Sequence, residues 1–438
     1  MNTVTTRTAK GSRLTVSEMD QNLIGLQTDF RTPENSGYPL DRNGSEDSTA
    51  KLNAFFQLLA TKRDAPARLG AGTLRTTSEL LVPPGAMSVV GAGASLLTIK
   101  PDANTYHGLR CQGTFDEGQH RRLIGGFSVV SANTGAAPRN GKAAFILDRC
   151  PQIVVEDVYG DNYDIAADCI NNSYNATWRG LRTRRSNPPN INCGLNIRSG
   201  DQSGGDWLVE DLQVAGKVTA VCIAGNGGGY SFNKYSIGLS GVSSTPNFGV
   251  VTMGRDYVTD TILDGIGNTL FGGVGHIEGW QNAYLLRAFG PTNVKFDELG
   301  INPSVTAAGQ QALGIYRHTN PNGKLAWTDC GISIGAFAGN QLMVLDGNAA
   351  SGSYDMFESN WSSGSVTVGG TSYFGDWMRS LWEWSNQPRT SWRGTAIQSN
   401  PDTFLSQIRN NGVYMRGNNG TGRMEYATDP KNGPWTAM

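Results

Sequence analysis

Three carboxylates, Asp297, Glu298 and Asp329, are the residues best suited to acid–base chemistry. Acidic side chains that share a site cannot all ionise freely, so at least one pKa rises. A protonated carboxyl beside an ionised one is the pair that hydrolyses a glycosidic bond, at ~5–5.5 Å separation in the retaining geometry. Asp264 and Glu358 stand in reserve. Arg179, Arg182, Arg184 and Arg185 form a basic cluster that suits an acidic sugar, and with it β-elimination. The structural alternative is a solvated face or an intersubunit ion pair. Six of the ten tryptophans lie at or beyond 361, among them Trp382 and Trp384. With Arg379, Arg389 and Arg393 nearby they suit stacking on sugar rings, or else the core of a trimerisation element.

Other chemistries lack their signatures. His107, His120, His276 and His318 are isolated, and the six cysteines contain no C-x-x-C pair, so no metal site is expected. Gly91-Ala92-Gly93-Ala94-Ser95-Leu96 lacks the third glycine and the βαβ setting of a dinucleotide loop. No G-x-S-x-G elbow supports serine catalysis. No cofactor is expected.

The carboxylates gain meaning from a repeat. A large apolar residue, two mostly polar or glycine residues and another apolar residue recur from Ile124, Val155, Trp178, Val209, Phe232, Leu263, Phe296, Trp327 and, degraded, Phe357. These starts lie 23 to 33 residues apart. Such a period, with strands and no helices, predicts stacked parallel coils ~4.8 Å apart, in a rod ~40 Å long. A sandwich of antiparallel hairpins fits the long intervals less well. The two residues between the apolar pair form a bend. Its first column reads Gly125, Glu156, Arg179, Glu210, Asn233, Asp264, Asp297, Thr328, Glu358. Its second reads Gly126, Asp157, Gly180, Asp211, Lys234, Gly265, Glu298, Asp329, Ser359. Glu156–Arg179–Glu210 and Asp211–Lys234 alternate in sign and read as an exposed ion-pair ladder. Asp264, Asp297, Glu298 and Asp329 have no basic residue between them in the columns, which makes them the candidate catalytic group. The competing explanation is that bends favour Asp for conformational reasons.

Glycine supplies 57 of 438 residues, charged residues only 17%, and the net charge is −1. That balance argues against a nucleic-acid binder and against a disordered chain. No apolar run spans a membrane, and the polar N-terminus does not predict Sec export. The cysteines are expected to be reduced and buried. The predicted organisation is a head at 1–31, a linker at 32–47, a β-helix at 48–360 and a Trp-rich element at 361–438. In the head, Thr15 and Glu18 form a capping box, and Val16, Met19, Leu23, Leu26 and Phe30 form a heptad seam. Residues 48–72 form a helical lead-in, with Ser48 as N-cap and Leu52, Phe55, Phe56 and Leu59 on one face.

Three stretches resemble bacteriophage tailspikes and tail fibres with a pectate-lyase-like β-helix. They are KGSRLTVSEMDQNLIGL (10–26), DRNGSEDSTAKLNAFFQLLA (41–60) and LLVPPGAMSVVGAGASLLTIKPD (80–102). The resemblance implies an all-β, right-handed parallel β-helix in a homotrimer. It also implies an N-terminus attached to the tail, baseplate or an adaptor protein, and a rod that engages bacterial surface polysaccharide. The location implied is the virion tail. Many relatives cleave the polysaccharide and some only bind it. No catalytic signature of the family transfers by position.

Overall fold

The structure, a computed structural model, describes residues 31–297 except for 62–65, 115–121, 136–138, 172, 174, 184–189, 199–205, 226–227, 243–246, 264–267, 282–284 and 290–292; beyond 297 it describes the strands. The predicted N-terminal head lies outside the described residues. Among those described, the strands form sheets of 16, 12 and 5. From Leu97 to Val368 the chain alternates between the first two sheets, and each strand pairs in parallel with the strand one coil earlier. This is the parallel β-helix that the repeat predicts.

The repeat is also the register. Ile124 pairs with Val155, Val155 with Trp178, Trp178 with Val209 and Val209 with Phe232. Phe296 pairs with Trp327 and Trp327 with Phe357. Side chains from Leu52 to Phe296, including Val155, Val209 and Phe232, form one continuous core. A buried apolar ladder of this kind gains ~25 cal/mol per Å² removed from water, and each coil completes the burial of the last.

One coil differs from the sequence reading. The residue stacked between Phe232 and Phe296 is Phe271, not Leu263. Its ring lies 4.5 Å from Phe232 and 5.1 Å from Phe296, near-parallel to both. Leu263 instead closes an excursion from Arg255, where Arg255 and Ile262 form an antiparallel bridge and the Leu263 amide donates to the Gly254 carbonyl. A local match to the pattern in a loop displaced the true coil. Gly272 therefore replaces Asp264 in the first bend column.

The ends of the rod are also defined. The helix Thr49–Thr61 buries Leu52, Phe55, Phe56 and Leu59, as its spacing predicts. Its N-terminus is satisfied by Asp47, whose carboxylate accepts from the Thr49 amide at 2.9 Å, rather than by the Ser48 hydroxyl. Asn53 exchanges hydrogen bonds with the Glu79 carbonyl and the Leu81 amide, so the helix completes the edge of the second sheet. Asn43–Asp47, inside the predicted linker, pairs in parallel with Gly72–Thr76 and starts the first sheet. At the other end Ser365–Val368 still pairs in parallel with the coil before it. Ser380–Ser385 and Thr371–Phe374 then pair antiparallel with the last parallel strands. Thr395 to Ala437 form the separate antiparallel sheet.

Candidate functional site

The bends of the first sheet place most of the predicted site residues. The second bend residue is left-handed in six successive coils: Gly126 (φ 73°), Asp157 (47°), Gly180 (75°), Asp211 (51°), Lys234 (53°) and Gly273 (71°). Glycine enters that region freely, and Asp does so more readily than most residues. The conformation thus accounts for Asp157 and Asp211 without any catalytic role. Glu298 and Asp329 continue this same column in sequence.

The first-column residues carry no left-handed φ among those described, so their identities need another explanation. The expected ion-pair ladder is present there. Arg179 donates to Glu210 at 3.0 Å and to Glu156 at 3.1 Å. Arg182 lies 3.5 Å from Asp157, and Lys234 lies 3.4 Å from Asp211. Two carboxylates hold the Arg179 pKa above its ordinary value, chiefly through the Glu210 and Glu156 hydrogen bonds. Exposed pairs of this kind, screened by water, add little to stability. Arg179 thus meets any ligand with its charge already compensated by both glutamates.

The glycine-rich stretch after Val90 serves the stacking. Gly91 and Gly93 amides donate to the Gly125 and Gly126 carbonyls, and the Ala94 amide donates to Asp157 at 2.8 Å. A Cβ on Gly91 would sit 2.1 Å from the Gly126 carbonyl oxygen. These amides face a neighbouring coil, where a phosphate loop would need them turned to a ligand.

Asp297 ends the strand Asn293–Asp297, opposite Thr328 on the next coil. Lys295, two residues earlier on the same strand, contacts its carboxylate at 2.8 Å. Columns alone missed this partner, because it projects from the same face one pleat away. Glu298 and the side chain of Asp329 lie outside the described residues. By register, Asp329 follows the partner of Asp297 on the adjacent coil. Trp382 and Trp384 lie on the antiparallel strand Ser380–Ser385, opposite Phe357 and Asp355. Arg184 and Arg185 lie outside the described residues.

A second charged group was not read from the sequence. The second-sheet strands Ala143–Asp148, Tyr163–Ile170 and Ile191–Arg198 are buried along nearly their whole length. Both faces are covered, because the segment from Phe248 to Tyr257 packs over the outer one. Asp168, fully buried, accepts from both Nε and Nη2 of Arg198 (3.1 and 2.8 Å) and from Asn196 (2.9 Å). Burial pushes the Asp168 carboxyl up, opposed by the Arg198 fork. Asp164 accepts from the Tyr257 hydroxyl at 2.6 Å, from Asn192 at 2.9 Å and from the Gly141 amide at 2.6 Å. Arg139 lies 5.1 and 5.2 Å from the Phe248 and Tyr257 ring centroids. These contacts hold the covering segment down. The readable signal was the run of apolar residues without alternation, which marks a strand covered on both faces. Among the described residues five cysteines are buried free thiols, and burial raises the pKa of Cys111, Cys169, Cys193 and Cys222.

His107 accepts a hydrogen bond from the Ala143 amide at 3.0 Å through Nδ1. Burial first, then the charges of Lys142, Arg110 and Arg198, lowers its pKa from 6.5 to about 3. The unfolded chain therefore binds the extra proton between those values. Stability contributed by neutral His107 is present above about pH 6.5 and is lost as the pH falls toward 3, with a slope of at most about 1.4 kcal/mol per pH unit. His107→Asn keeps an acceptor for Ala143 and should flatten the decline between pH 6.5 and 5 in urea unfolding. An unchanged slope would show that His107 does not drive it.

The class that the fold defines is a parallel β-helix rod with a register-fixed charged edge. No protein-family model matches the chain, and no curated protein matches it. Among solved structures, ORF18 of Geobacillus virus E2 is 12% identical, with a TM-score of 0.43 over 98% of this chain and 80% of that one. PfbA, a surface adhesin of Streptococcus pneumoniae, is 10% identical, with a TM-score of 0.41 over 85% and 99%. The phiAB6 tailspike, solved with oligosaccharides of Acinetobacter baumannii surface polysaccharide, is 11% identical, with a TM-score of 0.30 over 92% and 68%. Likenesses this distant carry no argument about the chemistry of this chain. No helix among the described residues is long and apolar enough to cross a membrane.

Proposed function

We propose that this chain is a bacteriophage tailspike. In this reading the N-terminal segment attaches a homotrimer to the tail, and the β-helix binds bacterial surface polysaccharide and cuts it by glycosidic hydrolysis. The single observation that carries the reading is the register at Asp297. It sets Asp297 opposite Thr328 on adjacent coils, with Asp329 next in sequence. One coil spacing of ~4.8 Å separates Asp297 from Thr328, and Asp329 stands one residue further along, so the ~5–5.5 Å of a retaining pair requires the bend to turn Asp329 toward Asp297. Asp297, beside Lys295, suits the ionised nucleophile or base, which leaves the acid to Glu298 or Asp329. Arg182, Trp382 and Trp384 would contact sugar, and Arg179 would do so only as part of its ladder.

A second reading is a tail fibre of the same build that binds without cutting. The left-handed bend favours it, because that conformation explains aspartates in the second column on its own. Purified protein incubated with surface polysaccharides from a panel of bacterial strains separates the two. Hydrolysis should release new reducing ends, and Asp297→Asn should lower the rate at least ~100-fold. Cleavage that survives both Asp297→Asn and Asp329→Asn sinks the assigned site. Binding without new ends supports the second reading, and unsaturated sugar ends would mark elimination instead.

A further inference from the structure

The ion-pair ladder on the first sheet has a gap. The outward pair of positions on successive strands reads Leu208 and Glu210, then Ser231 and Asn233, then Leu270 and Gly272, then Lys295 and Asp297. At these outward positions charge is present on the first and last strands and absent from the two between, where the neighbouring Lys234 is paired with Asp211 on the preceding coil. The window spans two coils, ~10 Å along the rod. Leu270 is 38% exposed, in a structure with few exposed large apolar side chains among the described residues. A Cβ on Gly272 would meet the Leu270 side chain at 3.3–3.5 Å, so Leu270 lies flat across the glycine. The window floor is therefore apolar, with the Asn233 amide and the Ser231 hydroxyl along one side.

The backbone changes at the same place. Lys234 lies opposite two residues, Gly273 and Val274, where the pairing shifts register. This bulge leaves Val274 82% exposed. Bulges re-aim side chains and concentrate near functional sites. The Asn233 amide lies over it, since a Cβ on Gly273 would fall 2.1 Å from the Asn233 Oδ1. Glycine is favoured there by its φ of 71°, and an added Cβ would have to displace the Asn233 amide.

We propose that Ser231, Asn233, Leu270 and Gly272 form a subsite for one uncharged sugar ring, next to Asp297. The proposal rests on the polysaccharide reading above and names the part of the polymer that this coil takes. An aliphatic floor suits the C–H face of a pyranose, and the amide and hydroxyl suit its ring hydroxyls. A uronate here would lie over apolar surface with its carboxylate desolvated, which is costly without a partner. Lys295 already contacts Asp297, so it offers such a carboxylate a shared cation.

The full-length protein is tested on an array of bacterial surface polysaccharides of defined repeat unit, followed by titration on the tightest binder. Leu270→Ser and Gly272→Asp are the variants. The added Cβ of the second meets only a flexible side chain, and its backbone is not left-handed. Both should keep the wild-type melting temperature within ~2 °C and lose at least tenfold in affinity, on a polymer containing neutral residues. Undiminished binding by both variants overturns the subsite and leaves the polysaccharide reading standing. So does preferred binding of polymers made only of uronates. A wild-type protein that binds nothing on the array overturns the reading and the subsite together. If the variants change the oligomeric state by light scattering while binding is kept, the window is a contact between copies and the proposal is wrong.

Discussion

Gly125→Ala is expected to abolish a soluble folded protein. The added methyl carbon would sit 1.8 Å from the Glu156 carbonyl oxygen and 2.7 Å from its carbon. Both are backbone atoms of the next coil, paired with Gly125 in the parallel register. No rotamer relieves such a clash, so the coils must separate, which breaks hydrogen bonds on both sides of the bend. The cost should exceed about 4 kcal/mol, in the range reached only by a few mechanisms. Gly180→Ala is the control. It occupies the next-but-one coil at φ 75°, and its Cβ would meet nothing closer than 3.6 Å. Only the left-handed backbone is penalised there, at about 1–2 kcal/mol. Soluble yield and thermal melting distinguish the two. Equal behaviour of both variants would mean that the coil spacing gives way more easily than close packing implies.

The second large effect concerns Asp168. Asp168→Ala removes a fully buried carboxylate and leaves the Arg198 guanidinium, 22% exposed, and the Asn196 amide without it. Breaking one side of a buried pair costs about 3–5 kcal/mol. The partial exposure of Arg198, and Asp256 at 3.9 Å, place the expected loss near the lower bound, about 3 kcal/mol. Asp168→Leu combined with Arg198→Met should recover part of that loss, because neither member of the pair is left charged, while Asp256 loses Arg198 but keeps the Val258 and Thr259 amides. Urea unfolding followed by tryptophan fluorescence measures both. A double variant as unstable as the single one would show that the pair contributes packing rather than charge balance.

Much of the fold was legible because a parallel coil imposes one rule at every turn. Whatever points inward must be apolar, and the bend between must take two residues, one of them left-handed. Ile124, Val155, Trp178, Val209 and Phe232 obey that rule at spacings that alternate between 31 and 23 residues. Leu263 obeys it by coincidence inside an excursion, and only the Phe232–Phe271–Phe296 ring stack reveals the coil it displaced. The candidate site was less legible. A column groups residues coil by coil, but charges also meet along a strand, as Lys295 does with Asp297. The buried Asp168–Arg198 pair escaped because its strands look like plain core segments, and the segment that covers them begins at Phe248, 50 residues beyond Arg198. The acidic quartet loses Asp264 to that misplaced coil, and Glu298 and Asp329 share a column whose conformation already favours Asp.

The reversal of strand direction after Val368 bears on how the molecule behaves at high concentration. An unfinished stack of rungs offers a fresh row of amide and carbonyl groups, on which another molecule's first rung can continue. Here the final rungs of both walls are covered by strands running the opposite way, and the helix at the far end does the same service with Asn53. A neighbour arriving in the parallel sense finds no matching row. Deleting the stretch from 369 onward should therefore turn a discrete particle into one prone to end-to-end fibre growth, since exposed sheet edges are templates for it.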